Sequence, residues 1–243
     1  EAAHRSEVVV LCLLDHAAAR DAVMSEAAGA ALGGKTLVQL STTSVEEVDD
    51  LAQWAAASDG AFLKGDILVY PDDIRAGRGA ILYGGPEQLF SRLSPLLDGL
   101  GGQPCFISER PADTIRTANA LYSFLYSALL SFLLGAAICR RNGIPVEVFT
   151  RNVIEPFVMD GSLMSYINSA GRAAGAQRYD QDLQATIDAW LSGLGTIKAD
   201  IDALGIDTAM LEPFKALLGQ TAKAGYGEQD IAAVIETLLG DKR

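Results

Sequence analysis

Histidine and cysteine are scarce in this sequence. Its 243 residues contain two histidines, His4 and His16, and three cysteines, Cys12, Cys105 and Cys139, with no Cys-x-x-Cys pair among them. So few imidazole and thiolate donors exclude a dedicated transition-metal site. A hydrolase triad lacks its base as well, since neither histidine accompanies a Gly-x-Ser-x-Gly elbow. Three scattered thiols suit a reducing compartment and a cytoplasmic location. Basic residues are also in deficit: 19 Lys and Arg stand against 31 Asp and Glu, for a formal net charge of −12. A balance of that sign disfavours nucleic acid phosphates and anionic lipid surfaces as partners. The N-terminus lacks the basic lead and apolar run of a signal peptide. It passes at once into Val8-Val9-Val10-Leu11-Cys12-Leu13-Leu14, the unbroken apolar run of a buried parallel strand. The expectation is a chain that begins almost inside a sheet, as though sequence upstream were absent.

With 49% hydrophobic residues, a chain of this length can bury a full-sized core without disulfides or a structural metal. Strand and helix signals alternate: a helix near Ala17–Ala31, a strand at Thr36–Leu40, a helix near Val45–Ala57 and a strand at Ala61–Leu68. Ser44 with Glu47 forms a capping box at the start of the second helix. A strand at Ala80–Tyr83, a turn at Gly84-Gly85-Pro86, a helix at Glu87–Leu97 and an edge strand at Pro104–Ile107 complete the α/β part. Pro86 removes an amide that a phosphate loop would need, so the two glycines read as a turn into a helix. Such alternation predicts a mostly parallel sheet with helices on its faces. Beyond Gly143 only helical periodicities remain, at Val146–Phe157, Asp182–Ala203, Thr208–Ala222 and Gln229–Leu239.

Between the two parts, one helix is predicted from Ala112 to about Arg141, and Thr117 to Cys139 contains no charged residue. A run of that length could span a bilayer. Asn119, Ser123, Ser127, Ser131 and Gly135, however, recur every fourth residue and share one face, a small polar stripe that lets another helix approach closely. A buried central helix, packed on all sides, is therefore expected rather than a membrane span. The fold class is an α/β Rossmann-type domain, of which only the second half is expected here, followed by an all-α domain and joined to it by a long interdomain helix. The predicted boundaries are 1–109, 110–142 and 143–243.

Several segments carry a resemblance: Val8–Asp15; Val38-Gln39-Leu40-Ser41-Thr42-Thr43; Gly65-Asp66-Ile67-Leu68-Val69-Tyr70-Pro71; and Ile81-Leu82-Tyr83-Gly84-Gly85 with Gln88-Leu89-Phe90. Ala118-Asn119-Ala120-Leu121, Ser131–Ala137 and the closing Gly225-Tyr226-Gly227-Glu228-Gln229-Asp230-Ile231 extend it along the whole chain. The sequence resembles the β-hydroxyacid dehydrogenase superfamily, and within it the imine reductase and reductive aminase branch. That resemblance implies NADPH in the Rossmann domain, a small-molecule imine as substrate, and a homodimer with intertwined helical domains. It also implies that the Gly-x-Gly-x-x-Gly turn and the arginine meeting the NADPH 2′-phosphate precede the first strand present here.

Carried onto this numbering, the resemblance assigns the cofactor to Leu13, Leu14, Ser41 and Thr42, and the substrate to Ala118, Asn119, Phe157 and Trp190. Ala118 falls where the family usually carries an acidic residue or tyrosine, and alanine can neither protonate nor anchor a substrate nitrogen. Thr42 stands where reductive aminases tend to place asparagine. Trp190 replaces a polar residue and Phe157 lines the pocket, which is therefore expected to be mostly apolar. Tyr126 matches a family tyrosine, and with Tyr122 it shares the helix face of Ala118 at i, i+4 and i+8. Tyr126 is the expected catalytic hydrogen-bond donor or proton relay, with Tyr122 as its alternate. Asp66, Asp72 and Asp73 read as solvated loop acids. The expected activity is NADPH-dependent reduction of a C=N bond. Two alternatives stand beside it: a non-catalytic homologue that binds a ligand or partner, and a hydroxyacid dehydrogenase using Arg116 as a carboxylate clamp.

Overall fold

The computed structural model describes residues 5–24, 28, 30, 31, 33–181 and 183–240. The chain divides into two compact units, Glu1–Ser127 and Ala128–Arg243. In the first unit β1 (Val8–Leu11), β2 (Thr36–Gln39), β3 (Ala61–Ile67), β4 (Ala80–Gly84) and β5 (Gln103–Ser108) lie side by side in sequence order. All neighbours pair in parallel except β3 with β4, which run antiparallel with Lys64 opposite Gly84. The mostly parallel sheet expected from alternation is therefore present, with one reversal where only the short helix α3 (Pro71–Arg75) intervenes.

Alternation of side chains along the strands builds two cores. Leu37 and Phe62 face one side with Val23 of α1 (His16–Val23) and Val48, Leu51 and Ala55 of α2 (Val45–Ala57). Val38 and Leu63 face the other with Ile81, Tyr83 and the Leu89, Leu93, Leu97 row of α4 (Glu87–Gly99). The capping box at α2 is made in full: Ser44 N–H donates to Glu47 Oε2 at 2.7 Å and Glu47 N–H to Ser44 Oγ at 3.2 Å. At Gly85, with φ of 139°, a Cβ would lie 2.8 Å from the Phe62 carbonyl oxygen, so close packing against β3 is what requires glycine there. Of the helix predicted near Ala17–Ala31, the part over 25–27 and 29 lies outside the described residues.

The long helix α5 runs from Asp113 to Arg141. By length and composition alone it could cross a bilayer, and only 6% of its most apolar stretch is buried in the chain. The expectation of a helix packed on all sides is thus not met by this chain alone: Leu129, Leu130 and Leu133 are each more than half exposed. Helical periodicity reports an apolar face but not what covers it. At Gly135 the stripe of small residues does admit a neighbour, since a Cβ there would lie 2.8 Å from the Phe149 ring, which stacks on Phe132 with centroids 5.8 Å apart.

The second unit is helical, and its one strand-like contact among the described residues is the isolated bridge between Thr186 and Asp230. The expected helix at Val146–Phe157 is broken into α6 (Val146–Phe149), a π-helical turn at Thr150–Ile154 and α7 (Glu155–Met159), which has Pro156 in its first turn. The helix α8 (Ser162–Ala176) carried no sequence expectation, because its Ser, Gly and Ala content blunts apolar periodicity. Next comes α9 (Ile187–Ala203), which starts later than Asp182–Ala203 predicted because Thr186 accepts the Ala189 N–H as N-cap; Asp182 lies outside the described residues. The last two α-helices are α10 (Glu212–Thr221) and α11 (Val234–Leu239). Tyr179, Ile187, Leu218, Ala232 and Ala233 form the small core of this unit.

Candidate functional site

Parallel α/β sheets place ligands at the carboxyl ends of their strands, where backbone amides and helix starts converge. A cavity of about 320 Å³ opens there in the first unit. Its walls are the turn after β1, the segment after β2, the end of β3 and the first turns of α5, with Leu13, Leu14, Ser41, Thr42, Ala118, Asn119 and Tyr122 all on its surface. Seven of the predicted residues are thereby brought together. Tyr126 lies beyond the cavity, one turn past Tyr122, and is 67% exposed in the chain, against 38% for Tyr122.

The polar frame of this cavity is specific. Leu13 N–H donates to Ser41 Oγ at 2.8 Å, which ties the β1 turn to the β2 end, and Ser41 N–H donates to Gln39 Oε1 at 3.1 Å. Beneath Ser41 lies Lys64, whose side chain is fully buried in β3. Its Nζ donates to the Ser41 carbonyl at 3.2 Å, the Gly65 carbonyl at 2.5 Å and Asp66 Oδ1 at 2.9 Å. Burial pushes the Lys64 ammonium below its usual range, and the Asp66 carboxylate opposes that shift. Asp66 Oδ2 in turn accepts from Thr114 Oγ1 at 2.6 Å, in the first turn of α5. Asp66 is therefore a strand residue in an ion pair, not the solvated loop acid the sequence suggested. The signal for this pair was a lone cation in the run Phe62-Leu63-Lys64, with an acid two residues on and hence on the same face of the strand. Asp72 and Asp73 do bond exposed arginines, Arg75 and Arg78 respectively.

Arg116 is not a cavity residue. It pairs with Asp113 at 2.7 Å, and hydrogen bonds from Ser108 and then Arg116 hold the Asp113 carboxyl below its ordinary range. An arginine outside the cavity lends the hydroxyacid dehydrogenase alternative no support, although an exposed ion pair of this kind is readily exchanged.

The remaining predicted residues meet in the second unit. Phe157 and Trp190 line an apolar cavity of about 410 Å³ with Tyr166, Ile167 and Ile231; the Phe157 and Tyr166 rings are 6.3 Å apart. Trp190 also borders a second apolar hollow of about 400 Å³ beside Ile197 and Phe214. No group of three or more His, Cys, Asp or Glu side chains among the described residues could hold a metal ion.

Residues 117–240 match the family described as NADPH-dependent reductive aminase-like, C-terminal domain, and residues 1–108 match the NAD binding domain of 6-phosphogluconate dehydrogenase. The first match takes in more than half of the sequence. The chain belongs to the reductive aminase-like family. Together the two matches make this family member an NAD(P)H-dependent oxidoreductase. It is 23% identical to the NADPH-dependent reductive aminase of Aspergillus oryzae, over 97% of this chain and 79% of that protein. In fold it is similar to a variant of the imine reductase from Myxococcus stipitatus solved with NAD+, with a TM-score of 0.86 at 24% identity over 98% of this chain and 82% of that one. The imine reductase from a Pseudomonas species gives a TM-score of 0.81 at 26% identity over 98% and 81%.

The described residues fit one end of a nicotinamide dinucleotide. Thr43 lines the cavity, and its Oγ1 is buried with no hydrogen-bond partner among the described residues. The cavity has uncharged walls except for Asp66, so it suits the nicotinamide riboside rather than the phosphates. The turn from β1 into α1 is no phosphate cradle: it carries no glycine, and Asp15 caps the helix by accepting the Ala18 N–H at 2.9 Å.

Proposed function

We propose that this family member uses NADPH to reduce the C=N bond of an imine or iminium, in a mostly apolar pocket at a homodimer interface. The observation that carries the reading is the strand-end cavity, which puts Leu13, Leu14, Ser41 and Thr42 on the same surface as Ala118, Asn119 and Tyr122. The first group would hold the nicotinamide end, and the second would face the substrate. Residues 1–109 form the cofactor domain in this reading, 110–142 the connecting helix, and 143–243 the helical domain of dimerisation and substrate binding. The uncovered apolar face of α5 and the Phe157 and Trp190 pocket support assembly with a second copy, and the protein is soluble and cytoplasmic.

The chemistry that the dinucleotide supplies when bound is hydride transfer. The chain's own task is to orient the acceptor carbon, keep water out and manage the proton on nitrogen. Ala118 offers no proton and no charge. Tyr122, on the cavity wall, can donate its phenolic hydrogen bond to a substrate nitrogen; Tyr126, one turn on, is the second phenol available on that face. A substrate that arrives as an iminium cation needs neither.

The test is NADPH oxidation against a panel of cyclic imines and iminium salts, with Tyr122→Phe and Tyr126→Phe alongside. Turnover of iminium salts by all three proteins, with loss of neutral-imine turnover in one variant, identifies the proton donor. No turnover of any substrate sinks the proposal. A ligand-binding homologue without catalysis is the second reading, favoured by the alanine at 118. It predicts NADPH binding or partner binding without hydride transfer, which fluorescence titration beside the same assay separates.

A further inference from the structure

We propose that Lys64 is a positioning residue that sets the shape of the strand-end cavity and thereby its affinity for the nicotinamide end of NADPH, an inference that rests on the functional reading above. A fully buried ammonium is costly unless every one of its protons is matched, and an unbranched apolar side chain would fill the same space without that cost. Here all three protons are matched, to the Ser41 carbonyl, the Gly65 carbonyl and Asp66 Oδ1.

What those acceptors are attached to gives the ammonium its role. Ser41 holds the β1 turn through the Leu13 amide, and Asp66 holds the first turn of α5 through Thr114. Thr114 lies one turn before Ala118, so the tie ends one turn below this residue of the cavity wall. The β1 turn, the β2 end, the β3 end and the start of α5 are thus all referenced to one buried nitrogen. Without it, the exposed turn bearing Leu14, which is 90% exposed, and the exposed Thr42 have little packing to hold them against the cavity.

The experiment compares wild type with Lys64→Met, Asp66→Asn and the double variant Lys64→Met/Asp66→Asn. The readouts are thermal melting, hydrogen exchange of the Leu13 amide in the ligand-free protein, and NADPH affinity by fluorescence titration. The double variant removes the ion pair as a unit, so it is expected to melt close to wild type even where a single variant fails to fold. At that restored stability, Leu13 exchange is expected to speed up and NADPH affinity to fall by about tenfold, the scale of one lost hydrogen bond. A stable double variant with wild-type Leu13 exchange and wild-type NADPH affinity overturns the proposal. Wild-type protein that binds no NADPH overturns the functional reading instead, and unchanged Leu13 exchange in the double variant then overturns the positioning role independently.

Discussion

The two units solve the same problem of burying a chain in opposite ways. In the first, both faces of the sheet are covered by helices, and even a lysine inside it has three partners. In the second, the core is small and rich in alanine, while Leu130, Leu133, Ile197 and Phe214 lie uncovered. A sheet covered by helices on both faces draws most of its stability from its own sequence. A unit with large apolar side chains left outside needs a further surface, and contiguous apolar patches on soluble proteins mark interaction sites.

The sharpest way to break this contrast is to unpair the buried charge. Lys64→Met leaves Asp66 without its cation and should cost the protein about 3–5 kcal/mol in a denaturant melt, with Asp66→Asn in the same chain recovering most of it. A comparison of two leucines follows. Leu63, fully buried in the first unit, should lose about 2–5 kcal/mol on replacement by alanine, whereas Leu130→Ala should cost a dissociated chain only a few tenths. Equal losses at the two positions would show that α5 is already covered. Leu133→Asp addresses that surface directly: sedimentation should show the assembled form shifting toward single chains, with the melting of the first unit little changed. An assembly indifferent to this aspartate would remove α5 from the interface.

The smallest effect concerns Tyr83. Its hydroxyl is fully buried with no partner among the described residues, and burial pushes its pKa up to about 12. The folded state therefore holds this proton more tightly than the unfolded chain does. Its contribution is complete below pH 10 and is lost as pH rises from there through about 12. Tyr83→Phe should leave stability at neutral pH unchanged or raised by about 1 kcal/mol, because an unsatisfied hydroxyl is removed, and should flatten the alkaline loss in melts taken between those limits.

Much of the first unit is legible in the sequence. Apolar runs marked the strands, and the Ser44 and Glu47 pair marked a helix start that the structure forms in full. These signals are local, spanning a few residues of backbone geometry. The helix at Ser162–Ala176 escaped because small residues leave no periodic stripe. The network under the cavity escaped because its members, Leu13, Ser41, Lys64, Asp66 and Thr114, are brought together only when parallel strands align their ends.

The sequence by itself determined the five strands and the main helices between them, the uncharged character of the long helix and the alanine at position 118, because each follows from residue type and spacing along one chain. Only the tertiary structure decided that seven of the predicted residues share one cavity, that Tyr126 lies outside it, and that Lys64 is buried rather than solvated. Those outcomes depend on which distant segments meet, and the energy of a buried cation is set by the acceptors that surround it rather than by its neighbours in sequence.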